Sequence, residues 1–127
     1  MTPNPDASAP SGSEPPVDFE QLRTSAGEDA DLIRELSALY FQQADEIMPS
    51  LQDAVIKGAA PEVTYFAHKL VGASLACGIN GIVPPLRELE GRGRNGDLAG
   101  AGEFMAQVVS QMEVARAAIR QFLTTLT

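Results

Sequence analysis

Between residues 29 and 57 the side chains Leu32, Leu36, Leu39, Gln43, Ile47, Leu51 and Ala54 or Val55 recur at steps of three and four. An α-helix turns about 100° per residue, so this spacing gathers them on one face and predicts a long amphipathic helix. Such an apolar stripe is stable in water only when other elements cover it. The same spacing returns near the C-terminus, where Ala101, Phe104, Val108, Met112, Ala115, Ile119, Phe122 and Leu126 predict a helix over 98–126. No alternation of period two competes with it anywhere in the chain, so strands are not expected.

The breaks between these stretches are short. Gly58 suits the residue just past a helix end, and Pro61 suits the opening turn of the next helix, predicted over 61–78. "GINGIVPP" is a second break, with Pro84 and Pro85 opening a further helix that turns Leu86 and Leu89 inward. "GRGRNGD" is read as a third, after which Asp97 is an N-cap for the last helix. Upstream, "VDFEQL" predicts a short helix starting near Asp18. Ser25 and Glu28 have the spacing of a capping box before the long helix, and Pro49 is expected to kink or split that helix. The fold class is therefore all-α: an antiparallel four-helix bundle over 17–127 with a short additional N-terminal helix. Residues 1–16, rich in Pro, Ser, Asn and Asp without apolar period, are read as a disordered tail.

With 127 residues the chain has room for one domain, and its single cysteine can form no internal bridge. No Cys/His cluster suggests a metal, so no metal site is expected. The opening residues carry neither a basic segment nor an apolar run, and no stretch approaches the roughly 20 apolar residues of a membrane span, so the expected location is the cytoplasm. A net charge of −8 argues against nucleic acid or an anionic membrane as partner. The charge is uneven: residues 1–67 hold 12 acids and 3 bases, residues 68–127 hold 5 acids and 6 bases, so an anion is expected to meet the second half.

The only histidine, His68, lies in "TYFAHKLVGASLACGING". On a helical wheel Phe66, Leu70, Ala73 and Cys77 fall within about 40° of the direction opposite it, with Val63 at the edge of that arc. A packed histidine belongs among those residues, whereas His68 shares its side with Tyr65, Val71, Gly72 and Leu75, and Lys69 flanks it. Glycine inside a helix costs about 1 kcal/mol relative to alanine. Gly72, one turn beyond His68 on the same face, therefore suggests a surface where something must come close. A lone exposed imidazole lacks the second group that hydrolysis needs, and alone it binds metal weakly. Covalent catalysis remains, in which the ring accepts a group and hands it on, and a phosphoryl group fits best because its transfer needs chiefly positioning and charge neutralisation.

"AHKLVGASLACG" followed by "LRELE" and "GRGRNGDL" resembles the histidine-containing phosphotransfer (HPt) domain family, with its His-x-Leu-Lys-Gly, small residues, glycine, and Leu-Glu on the next helix. The resemblance runs from about Leu32 into the last helix. It implies a monomeric four-helix bundle whose exposed histidine accepts phosphoryl from an aspartyl phosphate on a response-regulator receiver domain and passes it to another receiver. It places the chain in a multistep two-component relay fed by a hybrid sensor histidine kinase. It implies no cofactor of the chain's own, with Mg²⁺ expected in the partner receiver. His68 would be phosphorylated and Gly72 would keep the approach open. Ala73, Ser74 and Gly78 would let helices pack, Glu90 would hydrogen-bond the ring, and Arg94 would meet phosphoryl oxygens. Tyr65, Val71 and Leu75 would lie on the partner-contacting face. The family's lysine three residues after the histidine is replaced by Val71, and Lys69 is the substitute cation. The competing readings are a non-catalytic helical adaptor that docks receivers, and a phosphoacceptor domain phosphorylated directly by a kinase.

Overall fold

A computed structural model of the chain describes residues 15–126. Residues 1–14 of the expected tail lie outside them, and at Pro16 the chain is already docked: its carbonyl accepts from the amides of Asn80 (3.0 Å) and Gly81 (3.1 Å). Five helices follow: α1 (Phe19–Ser25), α2 (Ala30–Lys57), α3 (Ala60–Ala76), α4 (Val83–Asn95) and α5 (Ala101–Leu123). Gly58 and Ala59 alone join α2 to α3, and Gly58 takes φ 70°, so the chain reverses at once and the two helices pack side by side. Helix α3 then packs on α4, α4 on α5, and α5 returns to α2, closing four helices around one core. Among the described residues no strand occurs, and no helix is long and apolar enough to cross a membrane.

Helix α1 seals one end. Its Phe19 ring stacks on Phe122 of α5 with centroids 4.5 Å apart. The last carbonyls of a helix have no partner within it. Here Gln21 Nε2 donates to Leu75 O (2.5 Å), Ser25 Oγ to Ala76 O (3.3 Å), and the Asp18 amide to Gly78 O (2.6 Å). Ser25 is thus engaged at the end of α3 and forms no capping box with Glu28. The cap of α2 is Asp29, whose side chain accepts from the amides of Asp31 and Leu32.

Three other expectations are corrected. The buried stripe in the first half of α2 is Ile33, Ser37, Tyr40 and Ala44, one residue away from Leu32, Leu36 and Leu39. Leu32 and Leu39 are 40% and 55% exposed. Two stripes about 100° apart compete there. The one carrying small residues wins because it allows close packing, and the Tyr40 hydroxyl finds the buried Ser74 Oγ at 2.7 Å. Pro49 lies on the exposed side of α2 and does not split it, since one helix runs through it from Ala30 to Lys57. The "GRGRNGD" stretch is no break before Gly96: α4 continues through Gly91 and Gly93 to Asn95 and ends at Gly96 with φ 70°. Asp97 accepts from the Ala99 amide within the following turn, and α5 starts at Ala101 behind Gly100.

Candidate functional site

The buried residues of α3 are Val63, Ala67, Leu70, Val71 and Ser74. Their centre lies about 120° from His68 on the wheel, so the histidine stands at the border of the solvent face beside α4 rather than opposite the core. Helix α3 is covered by both α2 and α4, which widens its buried arc and rotates it toward Val71. Val71 is accordingly 2% exposed, a core residue, and presents nothing to a partner or a phosphoryl group. The expected core positions Phe66, Ala73 and Cys77 are only partly covered.

At that border the His68 side chain is 71% exposed, and its Nδ1 lies 2.6 Å from Glu90 Oε2 on α4. Glu90 itself is 4% exposed and is the one charged residue buried among the described residues. Arg94 Nη2 donates to the same Oε2 at 3.0 Å, and Arg87 Nη1 is 3.6 Å from Oε1. Burial pushes the Glu90 carboxyl up, but the His68 hydrogen bond and charge, with Arg94 and Arg87, outweigh it and hold the group below its usual range. An ionised carboxylate only accepts, so Nδ1 carries the hydrogen; in the neutral ring the lone pair is then on Nε2, turned to solvent.

The close approach of α3 and α4 depends on Gly93. A Cβ at that position would meet Thr64 Oγ1, lie 2.7 Å from Ala60 O and 2.9 Å from the Thr64 amide nitrogen. Thr64 Oγ1 donates to Ala60 O (3.2 Å), with a longer contact to Glu90 O (3.4 Å) across the interface. Pro85, Leu86 and Leu89 anchor the preceding turns of α4 in the core, which fixes the rotation that turns Glu90 under the imidazole.

Around the ring, Pro61, Thr64, Tyr65, Lys69, Glu90 and Arg94 line a shallow groove. Lys69 Nζ sits 5.6 Å from the centroid of the Tyr65 ring, a cation–π distance. Tyr65 and Leu75 are 58% and 40% exposed, and around Gly72 there is open space: a Cβ there would meet nothing within 4 Å. The structure thus brings His68, Tyr65, Lys69, Glu90 and Arg94 together and leaves Gly72 and Leu75 on the exposed face of α3. Arg94 belongs to the last turn of α4 and is tied to Glu90, so it is no loose loop arginine. Sequence reasoning missed Gly93 and Arg87. Their positions are three residues after and three before Glu90 on one helix; the signal of Gly93 was hidden by reading the glycines as a break, and Arg87 was passed over within the predicted helix. Among the described residues no group of three or more His, Cys, Asp or Glu side chains is gathered to hold a metal.

No family model and no curated protein sequence matches the chain. Among solved structures it is similar to the crystal structure of histidine-containing phosphotransfer protein B (HptB) from Pseudomonas aeruginosa PAO1. That likeness has a TM-score of 0.81 and 23% sequence identity over 91% of this chain and 100% of that one. The all-helical bundle described above is therefore the fold of that phosphotransfer protein.

Proposed function

We propose that this chain is a histidine phosphotransfer protein of a multistep two-component relay, working as a cytoplasmic monomer. The observation that carries the reading is an imidazole held by its inner nitrogen on a buried carboxylate with its outer nitrogen free in water. In the first step the Nε2 lone pair attacks the phosphorus of an aspartyl phosphate on a receiver domain. The N–P bond forms as the P–O bond to the aspartyl carboxylate breaks, and that carboxylate leaves with the electron pair. In the second step a carboxylate of another receiver attacks the phosphorus and the pair of the P–N bond returns to Nε2. Mg²⁺ bound by the receiver neutralises the phosphoryl oxygens, which lets this chain contribute a nucleophile and a docking surface without a pocket of its own.

The missing lysine of the family pattern is offset by two other cations. Lys69 lines the groove on one flank of the ring and Arg94 on the other, both on flexible stems long enough to swing toward a group on Nε2. Tyr65, the open space at Gly72, and Leu75 make the face on which a receiver would sit.

Incubation with a phosphorylated receiver tests the proposal. Acid-labile, alkali-stable label is expected on the wild-type chain and none on His68→Gln. Receiver binding with no label transferred would leave the adaptor reading standing instead. Label from ATP and a kinase domain, with none from receivers, would favour the directly phosphorylated reading.

A further inference from the structure

The backbone of α3 lies against Gly93 and accounts for that glycine, but nothing in the bundle accounts for Gly91. It sits in the interior of α4, where glycine costs about 1 kcal/mol relative to alanine, yet a Cβ there would meet no atom within 4 Å. The fold would accept any helix former at this position. In place of a side chain there is a shallow hollow lined by Arg87, Glu88, Gly91, Arg92, Asn95 and Asp97. The hollow adjoins the His68 groove: Arg87, on its lip, has Nη1 3.6 Å from Oε1 of Glu90, which lines the groove. Counted round α4 from Glu90, Arg94 stands at about 40°, Arg87 at about 60° and Gly91 at about 100°, so the three lead outward from groove to hollow.

The chain carries a net charge of −8, yet this strip holds a surplus of positive charge. Arg23, Arg34, Lys57 and Arg116 each face an acid of their own, respectively Glu20, Asp31, Asp53 and Asp45. Arg87 and Arg94 instead share the buried Glu90 and remain 54% and 64% exposed. The visitor that fits such a strip brings carboxylates. A receiver does, because a site that takes phosphoryl on an aspartate and binds Mg²⁺ is built from them. A stable protein contact also covers about 800 Å² of each partner, roughly 20 residues, so a receiver centred on His68 extends well past the groove.

We propose that the receiver's footprint crosses from α3 over α4 to Gly91, where a receiver loop enters the hollow and sets an acidic side chain against Arg87. The inference rests on the phosphotransfer reading above and makes Gly91 and Arg87 the residues that select the partner. Gly91 determines how close the loop comes, and Arg87 determines the charge it must carry. Glu88 and Asp97 also line the hollow and repel a loop that is acidic throughout, so the acid must fall on the Arg87 side.

Gly91→Leu fills the hollow with a good helix former from a position where the fold leaves room, and Arg87→Gln removes the charge. Wild type and each variant are labelled on His68 by phosphoramidate, a small donor that makes no use of α4, and by the phosphorylated receiver that labels wild type fastest. The receiver rate, taken at subsaturating receiver, is divided by the phosphoramidate rate of the same protein. For Gly91→Leu this ratio is expected to fall at least about fivefold. For Arg87→Gln it is expected to fall about two- to fivefold at low salt and to return toward wild type at about 0.5 M salt. A Gly91→Leu ratio equal to wild type overturns the footprint, and an Arg87→Gln ratio equal to wild type at low salt overturns the acidic contact. Should Gly91→Leu fail to fold, the footprint is read on the ¹⁵N-labelled wild-type protein titrated with unphosphorylated receiver. Shifts are expected at the amides of Gly91, Arg92 and Asn95 as well as along α3, and shifts confined to α2 and α3 overturn the inference. Failure of both donors to label wild-type His68 is a different result, because it removes the phosphotransfer reading itself.

Discussion

Replacing Gly72 by alanine separates what the fold needs from what a partner needs. The position is in the interior of α3, one turn beyond His68, and an added Cβ meets no atom within 4 Å. Nothing in the bundle resists the methyl group, so the helix gains the propensity difference between the two residues, about 1 kcal/mol. For a domain of this size that corresponds to a rise in Tm of roughly 4 °C. A receiver packed on the same face would meet the methyl group directly. Extra volume in a well-packed contact costs about 1–3 kcal/mol, which lowers transfer at subsaturating receiver by roughly five- to 150-fold. The assay pairs a thermal or denaturant melt with timed transfer of label from a phosphorylated receiver. The expected outcome is a more stable and less active protein. Raised stability with unchanged transfer would refute the docking role of this glycine, and lowered stability would refute the open space assigned to it.

Two glycines of α4 should respond with opposite signs. Gly93→Ala forces a Cβ against α3 backbone and should cost about 1–2 kcal/mol net of the helix gain, whereas Gly91→Ala, with nothing within 4 Å, should stabilise by up to about 1 kcal/mol in the same urea titration. Burial pushes the Tyr40 phenol up to about 12 against the Ser74 hydrogen bond, so its contribution is intact below pH 10.0 and is lost as pH rises toward that value; Tyr40→Phe should flatten this alkaline limb of stability. The Glu90 carboxyl is held low, so its contribution is intact above the unfolded carboxylate range and falls away as acid protonates it in the folded state; Glu90→Gln should flatten the acid limb followed by circular dichroism. Lys69→Ala should slow transfer clearly without changing the melt, and an unchanged rate would exclude Lys69 as the substitute cation.

Where the sequence was legible, a single physical signal dominated. Gly58, Pro61, Pro84 and Pro85 act through their own backbone restrictions, and each sits at the helix end where those restrictions place it. The lower half of α2 and most of α5 each carry one apolar stripe, and Ile47, Leu51, Ala54, Met112, Ala115 and Ile119 are buried as their spacing requires. The readings that failed are those in which two stripes compete or a small residue decides. Leucine outweighs serine and alanine in any hydrophobic count, yet Ser37, Ala44, Ala67 and Ser74 are the residues facing the core, because helices in close contact need small side chains between them. Val71 was misplaced for the same reason: the arc of α3 is set by two neighbouring helices, and one sequence does not reveal their direction.

The site follows the same division. His68 was recognisable as exposed because it stands outside every apolar stripe, and Glu90 as its partner only through a family resemblance. Geometry adds the reason the pair forms at all. Gly93 removes the one side chain that would hold α3 and α4 apart, so the carboxylate one helical turn before it reaches the imidazole at 2.6 Å while staying out of water. A glycine without chemistry of its own therefore fixes which nitrogen of His68 is free. On that account a Gly93 substitution that keeps the bundle folded should weaken transfer even though residue 93 is far too small to touch the phosphoryl group. The ¹⁵N signals of the ring should show why, as Nδ1 loses its fixed hydrogen bond and both tautomers become populated; transfer that is unaffected while the tautomer mixture appears would show that ring orientation does not limit the reaction.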